Sequence, residues 1–127
     1  MHTLFLSLAL CAVPAVFAAE DPSPQHVKWM KDTEDLQHKI RDGQDVAANA
    51  KSLAALYKDI EAYWGKKSEV AAKSCKDSQA AATAVATAAA ANDAAGVASN
   101  RKLIGGACRT CHDQHREKVS EGVYKIK

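Results

Sequence analysis

A twelve-residue run from Ala80 to Ala91 consists of alanine except at Thr83, Val85 and Thr87. Alanine has the highest intrinsic helix propensity of all residues, so this run predicts a helix in the middle of the chain. Its small side chains let neighbouring helices approach closely but fill little volume. Aromatic residues make up only 6% of the sequence and cannot supply much of the missing volume. Such a core is thin unless helices pack closely or a large apolar group sits between them.

The first 18 residues have the features of an export signal. They are mostly apolar and end in a Val-Phe-Ala sequence at Ala18, which is typical of a signal-peptidase site. The apolar stretch is too short to span a bilayer comfortably, and no stop-transfer charges follow it. Cys11 raises the alternative of lipid attachment, which the bulky Leu10 before it disfavours. We therefore expect a signal peptide at residues 1–18, cleavage near Ala18, export to the periplasm and a single domain at residues 19–127 with no membrane span.

Residues after the signal show helical spacing of apolar side chains and no period-two alternation typical of strands. Ser23 is a suitable N-cap for a first helix that begins at Pro24. The predicted helices run from Pro24 to Arg41, from about Gln44 to Gly65, from about Ser68 to Asn92 and from about Asp93 to Glu121, where Gly122 ends the last. Side chains expected to face the core include Thr33, Ile40, Leu53, Tyr57, Trp64, Val85, Ile104 and Val119. Short connections between four such helices predict an all-α fold, an antiparallel up-down four-helix bundle.

The motif with the most specific chemistry is Cys-Arg-Thr-Cys-His, from Cys108 to His112. In this C-x-x-C-H pattern two thiols add to the vinyl groups of haem, and the adjacent imidazole binds the iron. On a helix Cys108 and His112 lie one turn apart, so the spacing attaches the ring by its edge and supplies an axial ligand. Gly105 and Gly106 each cost the helix roughly 1 kcal/mol relative to alanine, which a close approach to something flat would explain. We predict one covalent haem c, held by Cys108 and Cys111 as thioethers and by His112 as axial ligand.

Three other sites can be built from the same residues. A thioredoxin-like thiol pair expects a βαβ context that this sequence lacks. A zinc site needs further ligands, which Cys75 or His115 could provide. A disulfide between Cys108 and Cys111 is the simplest alternative in an exported protein, although disulfide scaffolds usually contain more cysteines than the four present here. The adjacent histidine, together with export, favours haem.

The segment from Gly105 to Arg116 contains this motif and continues with Asp-Gln-His-Arg. It resembles the C-terminal signature of cytochromes c′ and of their low-spin relatives. The resemblance implies a four-helix bundle that holds haem between its first and last helices, in a periplasm and often as a homodimer. It also implies that Arg116 lies near the proximal face of the haem. His115 stands where an aromatic residue is common in the family.

The function depends on what faces the iron opposite His112. Met30 is the best-placed residue, because the start of the first helix lies opposite the late part of the last helix in an antiparallel pair. The segment 29–32 also resembles the first helix of low-spin relatives in which methionine supplies the sixth ligand. Two alternatives remain at this point. His26, one turn earlier, could bind the iron, or Met30 could fill the core and leave the iron five-coordinate.

These ligand sets correspond to different functions. With two strong axial ligands the protein is a periplasmic one-electron carrier that transforms no substrate and is not an enzyme. With five-coordinate iron it is a gas-binding protein, in which a pocket near Met30 and Thr33 admits nitric oxide or carbon monoxide. The third class is a helical module without haem that uses Cys108 and Cys111 for zinc or a disulfide.

Positive charge is concentrated at the end of the chain that contains the motif. Residues 101–127 contain seven Lys or Arg against three Asp or Glu, while residues 20–100 contain ten against twelve. The net charge of +2 gives no indication of a nucleic-acid partner. Four basic residues could neutralise haem propionates or attract an acidic redox partner, with a solvated face as the alternative: Lys102, Arg109, Arg116 and Lys118. Cys75, the cysteine left over, is expected to be buried.

Overall fold

The computed structural model describes residues 19–127, and the predicted signal peptide lies outside the described residues. Four α-helices account for most of the described chain: α1 (Pro24–Arg41), α2 (Val46–Trp64), α3 (Glu69–Ala90) and α4 (Ala94–His115). The first three agree with the predicted helices to within two residues at each end. None of the helices in this part of the chain is both long enough and apolar enough to cross a membrane.

Side-chain caps explain where three of the helices begin. The hydroxyl of Ser23 accepts a hydrogen bond from the backbone N–H of His26 at 3.2 Å, and Ser68 caps α3 in the same way at 3.2 Å. Asp93 caps α4 by accepting from the backbone N–H of Gly96 at 2.9 Å. Each cap satisfies a backbone donor that the helix leaves unpaired and contributes about 1 kcal/mol. The predicted N-cap at Ser23 is therefore confirmed.

The helices do not pack equally against one another. The closest packing joins α2 to α3 and α3 to α4, and α1 packs less extensively against α2. Buried alanines form much of this core, together with the three largest fully buried side chains, which are Leu53, Val85 and Ile104. Helices α1 and α4, whose contact would close the bundle, have no comparable packing. A compact helical core is therefore confirmed, with its looser side between α1 and α4.

The end of the chain differs from the prediction. Helix α4 ends at His115, and the following residues form an antiparallel hairpin of β1 (Arg116–Ser120) and β2 (Val123–Ile126). The predictions of a helix to Glu121 and of no strands were therefore wrong. Gly122 has a φ of +70°, in the region that favours glycine, and so turns the chain instead of ending a helix. The β-branched and aromatic residues of β2 also favour a strand.

The hairpin also binds the other end of the described chain. The backbone N–H of Glu20 donates to the carbonyl of Ile126, and the N–H of Ile126 donates to the carbonyl of Glu20, both at 2.8 Å. Lys125 lies 3.7 Å from the carboxylate of Asp21. Val119, predicted to face the core, lies instead on β1 with 54% of its side chain exposed. The hairpin thus joins the two ends of the domain beside the C-terminus of α4.

Candidate functional site

The three residues of the C-x-x-C-H motif lie on the last two turns of α4. Cys108 and Cys111 are half-buried free thiols that pack against the core, and His112 is also half-buried. Burial lowers the pKa of His112, and Arg116 lowers it further, while Asp113 acts in the opposite direction. The imidazole is therefore neutral at pH 7, which is the form that binds metals. Burial raises the pKa of Cys111, so this thiol stays protonated.

Tyr57 connects the motif to the other helices, a role that sequence reasoning missed. Its hydroxyl lies 3.6 Å from the sulfur of Cys108 and accepts a hydrogen bond from the amide of Gln37 at 3.4 Å. The side chain is only 4% exposed, and burial raises its pKa far above the usual value, with Cys108 adding to the effect. A protonated phenol thus links α1 and α2 to Cys108. The apolar periodicity of α2 predicted that Tyr57 faces inward but gave no signal for these partners.

Two side chains of α2 contact both α1 and α4 and so give the relative level of these helices. Tyr57 contacts Gln37 on α1 and Cys108 on α4. Trp64 donates a hydrogen bond to His26 on α1, and its ring lies on that of His115 on α4. The later residue of α1 is thus paired with the earlier residue of α4, so the two helices are antiparallel.

The same register gives the level of Met30. Met30 lies four residues after His26, which shares Trp64 with His115, so Met30 lies near the level of Cys111 and His112. It lies seven residues, about two turns, before Gln37, so the two side chains share one face of α1. Met30 is half-buried and packs against the same core as the two cysteines.

We call the loosely packed side of the bundle between α1 and α4 the α1–α4 opening, with Met30 and Gln37 on α1 and Gly105 and His112 on α4. Gly105 lies seven residues before His112 and thus on the same face. A Cβ atom placed on Gly105 would have no other atom within 4 Å, so this face is open. Two free thiols, a neutral imidazole and a methionine across an open face are a donor set suited to a covalently bound haem. The residues present fit this group.

His26 is buried in an aromatic cluster at the end of the bundle. Its Nε2 accepts a hydrogen bond from the indole N–H of Trp64 at 2.7 Å, and the rings of Trp29, Tyr63 and Trp64 surround it in edge-on contacts. Because Nε2 accepts this bond, the neutral ring carries its proton on Nδ1, which is buried without a partner. Neither nitrogen therefore offers a free lone pair, which disfavours His26 as an iron ligand.

The titration of His26 predicts a pH dependence of stability. Burial lowers the pKa of His26 from 6.5, and Lys67 lowers it further. A histidine whose pKa is lowered in the folded state contributes its full stabilisation above about pH 6.5. This contribution is lost as the pH falls through the folded-state pKa. We expect His26→Gln, which keeps an acceptor for Trp64, to weaken the fall in the free energy of unfolding measured by urea titration between pH 7 and pH 4.5. The exposed His38→Gln is the control and should retain the full fall.

His115 anchors the end of α4 and was not predicted to do so. Its ring lies on that of Trp64, with centroids 4.9 Å apart, and its Nε2 lies 2.7 Å from the hydroxyl of Ser68. Within residues 19–127 no group of three or more His, Cys, Asp or Glu side chains is arranged to hold a metal ion. Cys75 is buried as expected, and burial raises its pKa to about 12.

Ser68 therefore has two partners, the N-terminus of α3 and the anchor at His115. We expect Ser68→Ala to lower the free energy of unfolding by about 1–2 kcal/mol, since both hydrogen bonds are lost. Ser99→Ala is the matched control, because its exposed hydroxyl donates only to a carbonyl of its own helix. Urea denaturation would measure both. An equal loss in the two variants would contradict the double role of Ser68.

An open cleft of about 510 Å³ lies beside His112 at the start of the hairpin. Its lining residues are His112, Asp113, Arg116, Lys118, Tyr124 and Lys127. The guanidinium of Arg116 lies over the ring of Tyr124, 4.3 Å from its centroid. Arg116 and Lys118 thus lie near His112, whereas Lys102 and Arg109, of the same predicted basic set, are exposed on α4 and do not line this cleft.

In comparisons with known proteins no family model matched the chain, and neither did any curated protein or any solved structure. The fold of residues 19–127 defines a class, a mostly helical bundle with a C-terminal hairpin.

Proposed function

We propose that the protein is a periplasmic monohaem c-type cytochrome that carries single electrons. The observation that carries this proposal is the α1–α4 opening. On one side of it α4 carries Cys108, Cys111 and His112, and on the other side α1 carries Met30 near the same level. A large flat apolar group in this opening would also supply the volume that the alanine-rich core lacks.

The roles of the residues follow from their chemistry. Each thiol adds across one vinyl double bond, with sulfur bound to one carbon and hydrogen to its neighbour, so the attachment consumes no oxidant or reductant. The neutral imidazole of His112 and the thioether of Met30 would hold the iron. Bound haem would supply an iron that alternates between the ferrous and ferric states. With both side chains bound to it, the iron would transfer electrons and would not bind a substrate.

The rim of the cleft beside His112 suits contact with an anionic partner. Arg116, Lys118 and Lys127 line it together with Asp113, and Lys118 forms an ion pair with Glu121 at 2.8 Å, which leaves Arg116 and Lys127 to attract an anion. Complementary charge speeds the encounter of redox partners and orients them. We propose an acidic redox protein of the periplasm as partner, reached after export directed by residues 1–18. The resemblance to cytochromes c′ adds the proposal of a homodimer.

The test is an optical spectrum and an intact mass of the protein made in a bacterial periplasm that attaches haem to exported proteins. We expect one covalent haem, a low-spin ferrous spectrum with separate α and β bands, and no change with carbon monoxide. A high-spin spectrum that shifts on adding the gas would overturn electron transfer and favour the five-coordinate, gas-binding alternative. A chain without covalent haem would overturn both cytochrome proposals.

A further inference from the structure

Two buried side-chain atoms within residues 19–127 have no hydrogen-bonding partner, and both belong to α1. They are Nδ1 of His26 and the hydroxyl oxygen of Thr33. His26 lies four residues before Met30 and Thr33 three residues after it, so all three share one face of the helix. A buried polar group without a partner is unfavourable, and native proteins keep few of them. These two groups border the proposed axial ligand on both sides.

The free hydroxyl of Thr33 is unusual among the helical threonines of the described chain. Thr83, Thr87 and Thr110 each donate a hydrogen bond to the backbone carbonyl four residues earlier, at 2.9 Å, 3.2 Å and 3.0 Å. This is the common solution for a threonine within a helix. Thr33 is 7% exposed, yet its hydroxyl makes no such bond. The hydroxyl of Thr33 is therefore free to donate a hydrogen bond to a group that packs against α1.

The level of Thr33 is that of the haem-binding motif. His26 and His115 both contact Trp64, so His26 lies at the level of the end of α4. Thr33 lies seven residues after His26 (33 − 26 = 7), and seven residues before His115 is Cys108 (115 − 7 = 108). Of the two unpartnered groups, Thr33 is therefore the one at the level of the motif.

We propose that the hydroxyl of Thr33 donates a hydrogen bond to the sulfur of Met30 when this sulfur binds the haem iron. The inference rests on the proposed function and assigns Thr33 as a positioning residue that tunes the reduction potential. A hydrogen bond draws electron density from the sulfur and makes it a weaker donor. Ferric iron gains more than ferrous iron from a strong donor, so the bond favours the ferrous state and raises the reduction potential.

The test compares Thr33→Val, which has nearly the same shape without the hydroxyl, with Thr33→Ser, which keeps it. One net hydrogen bond changes an equilibrium about fivefold. For a one-electron couple this fivefold change corresponds to about 40 mV, at 59 mV for each tenfold change. We expect the potential of the Thr33→Val holoprotein to fall by this amount in a spectroelectrochemical titration, while Thr33→Ser stays near the parent protein. Both variants should keep the low-spin spectrum.

A second measurement distinguishes an effect of Thr33 on the reduction potential from an effect on the stability of the fold. In the chain without haem the hydroxyl has no partner, so Thr33→Val should raise the melting temperature of the apoprotein. A lower apoprotein melting temperature would mean that the hydroxyl stabilises the fold and would overturn the proposal. An unchanged potential in a low-spin Thr33→Val holoprotein would overturn it while leaving the proposed function intact. If the parent protein contains no haem, or contains high-spin iron, the proposed function itself is overturned.

Discussion

Cys108→Ala/Cys111→Ala is expected to abolish covalent haem attachment. In the proposed holoprotein each cysteine would form one thioether bond, and no other free thiol of the described chain lies on α4 to replace it. Because His112 is retained, the variant can still bind haem through iron, so the loss concerns the covalent bonds. The measurement is intact mass together with extraction of haem into acidified acetone. Haem should remain with the parent protein and pass completely into the solvent with the double variant.

Cys75→Ala is the matched control for this experiment. Cys75 is also a thiol packed in the core, but it lies on α3 and is outside the C-x-x-C-H motif. We expect Cys75→Ala to retain covalent haem in full and to cost about 1 kcal/mol of stability from the lost sulfur packing. Release of haem by Cys75→Ala as well would contradict the assignment of the thioethers to Cys108 and Cys111. Retention of covalent haem by the double variant would contradict it directly.

Local signals made most of the fold predictable from the sequence. The alanine run, the serine cap at Ser23 and the glycine at Gly65 act within a few residues, and the first three helices follow them. The hairpin was missed because it depends on distant pairing. β2 is only four residues long, and Glu20 pairs with Ile126 from the opposite end of the domain. A strand of four residues is too short to show a clear hydrophobic periodicity, and its pairing partner is distant in the sequence.

The candidate site likewise has a part that the sequence predicted and a part that it did not. Cys108, Cys111 and His112 form a local motif whose chemistry can be read from spacing alone. The contacts of Tyr57 with Gln37 and Cys108 join three helices, and no single helical pattern contains them. The loose packing of α1 against α4 is likewise a property of the whole bundle and not of any one helix. Sequence therefore predicted the motif but not the side chains that contact it in the structure.

Met30→Leu tests the second axial position and should convert the holoprotein from low-spin to high-spin. Leucine has nearly the volume of methionine, so the change costs less than about 1.5 kcal/mol of stability, but it has no sulfur to bind iron. His112 would then be the sole protein ligand. We expect the ferrous variant to bind carbon monoxide, measured as a shift of its main absorption band, while the parent protein does not respond. This change would turn the proposed electron carrier into a gas-binding protein.

Leu36→Met is the control, because it makes the reverse exchange on the flank of α1 that borders a groove with α2. It should leave the spectrum and the lack of response to carbon monoxide unchanged. If Met30→Leu kept a low-spin spectrum, another side chain would be the sixth ligand, and the assignment of Met30 would be wrong. His26 would replace Met30 in that case only by releasing the indole N–H of Trp64, since its Nε2 accepts that bond. His26→Gln in the Met30→Leu background would then convert the iron to high-spin, which separates the two ligands by one further spectrum.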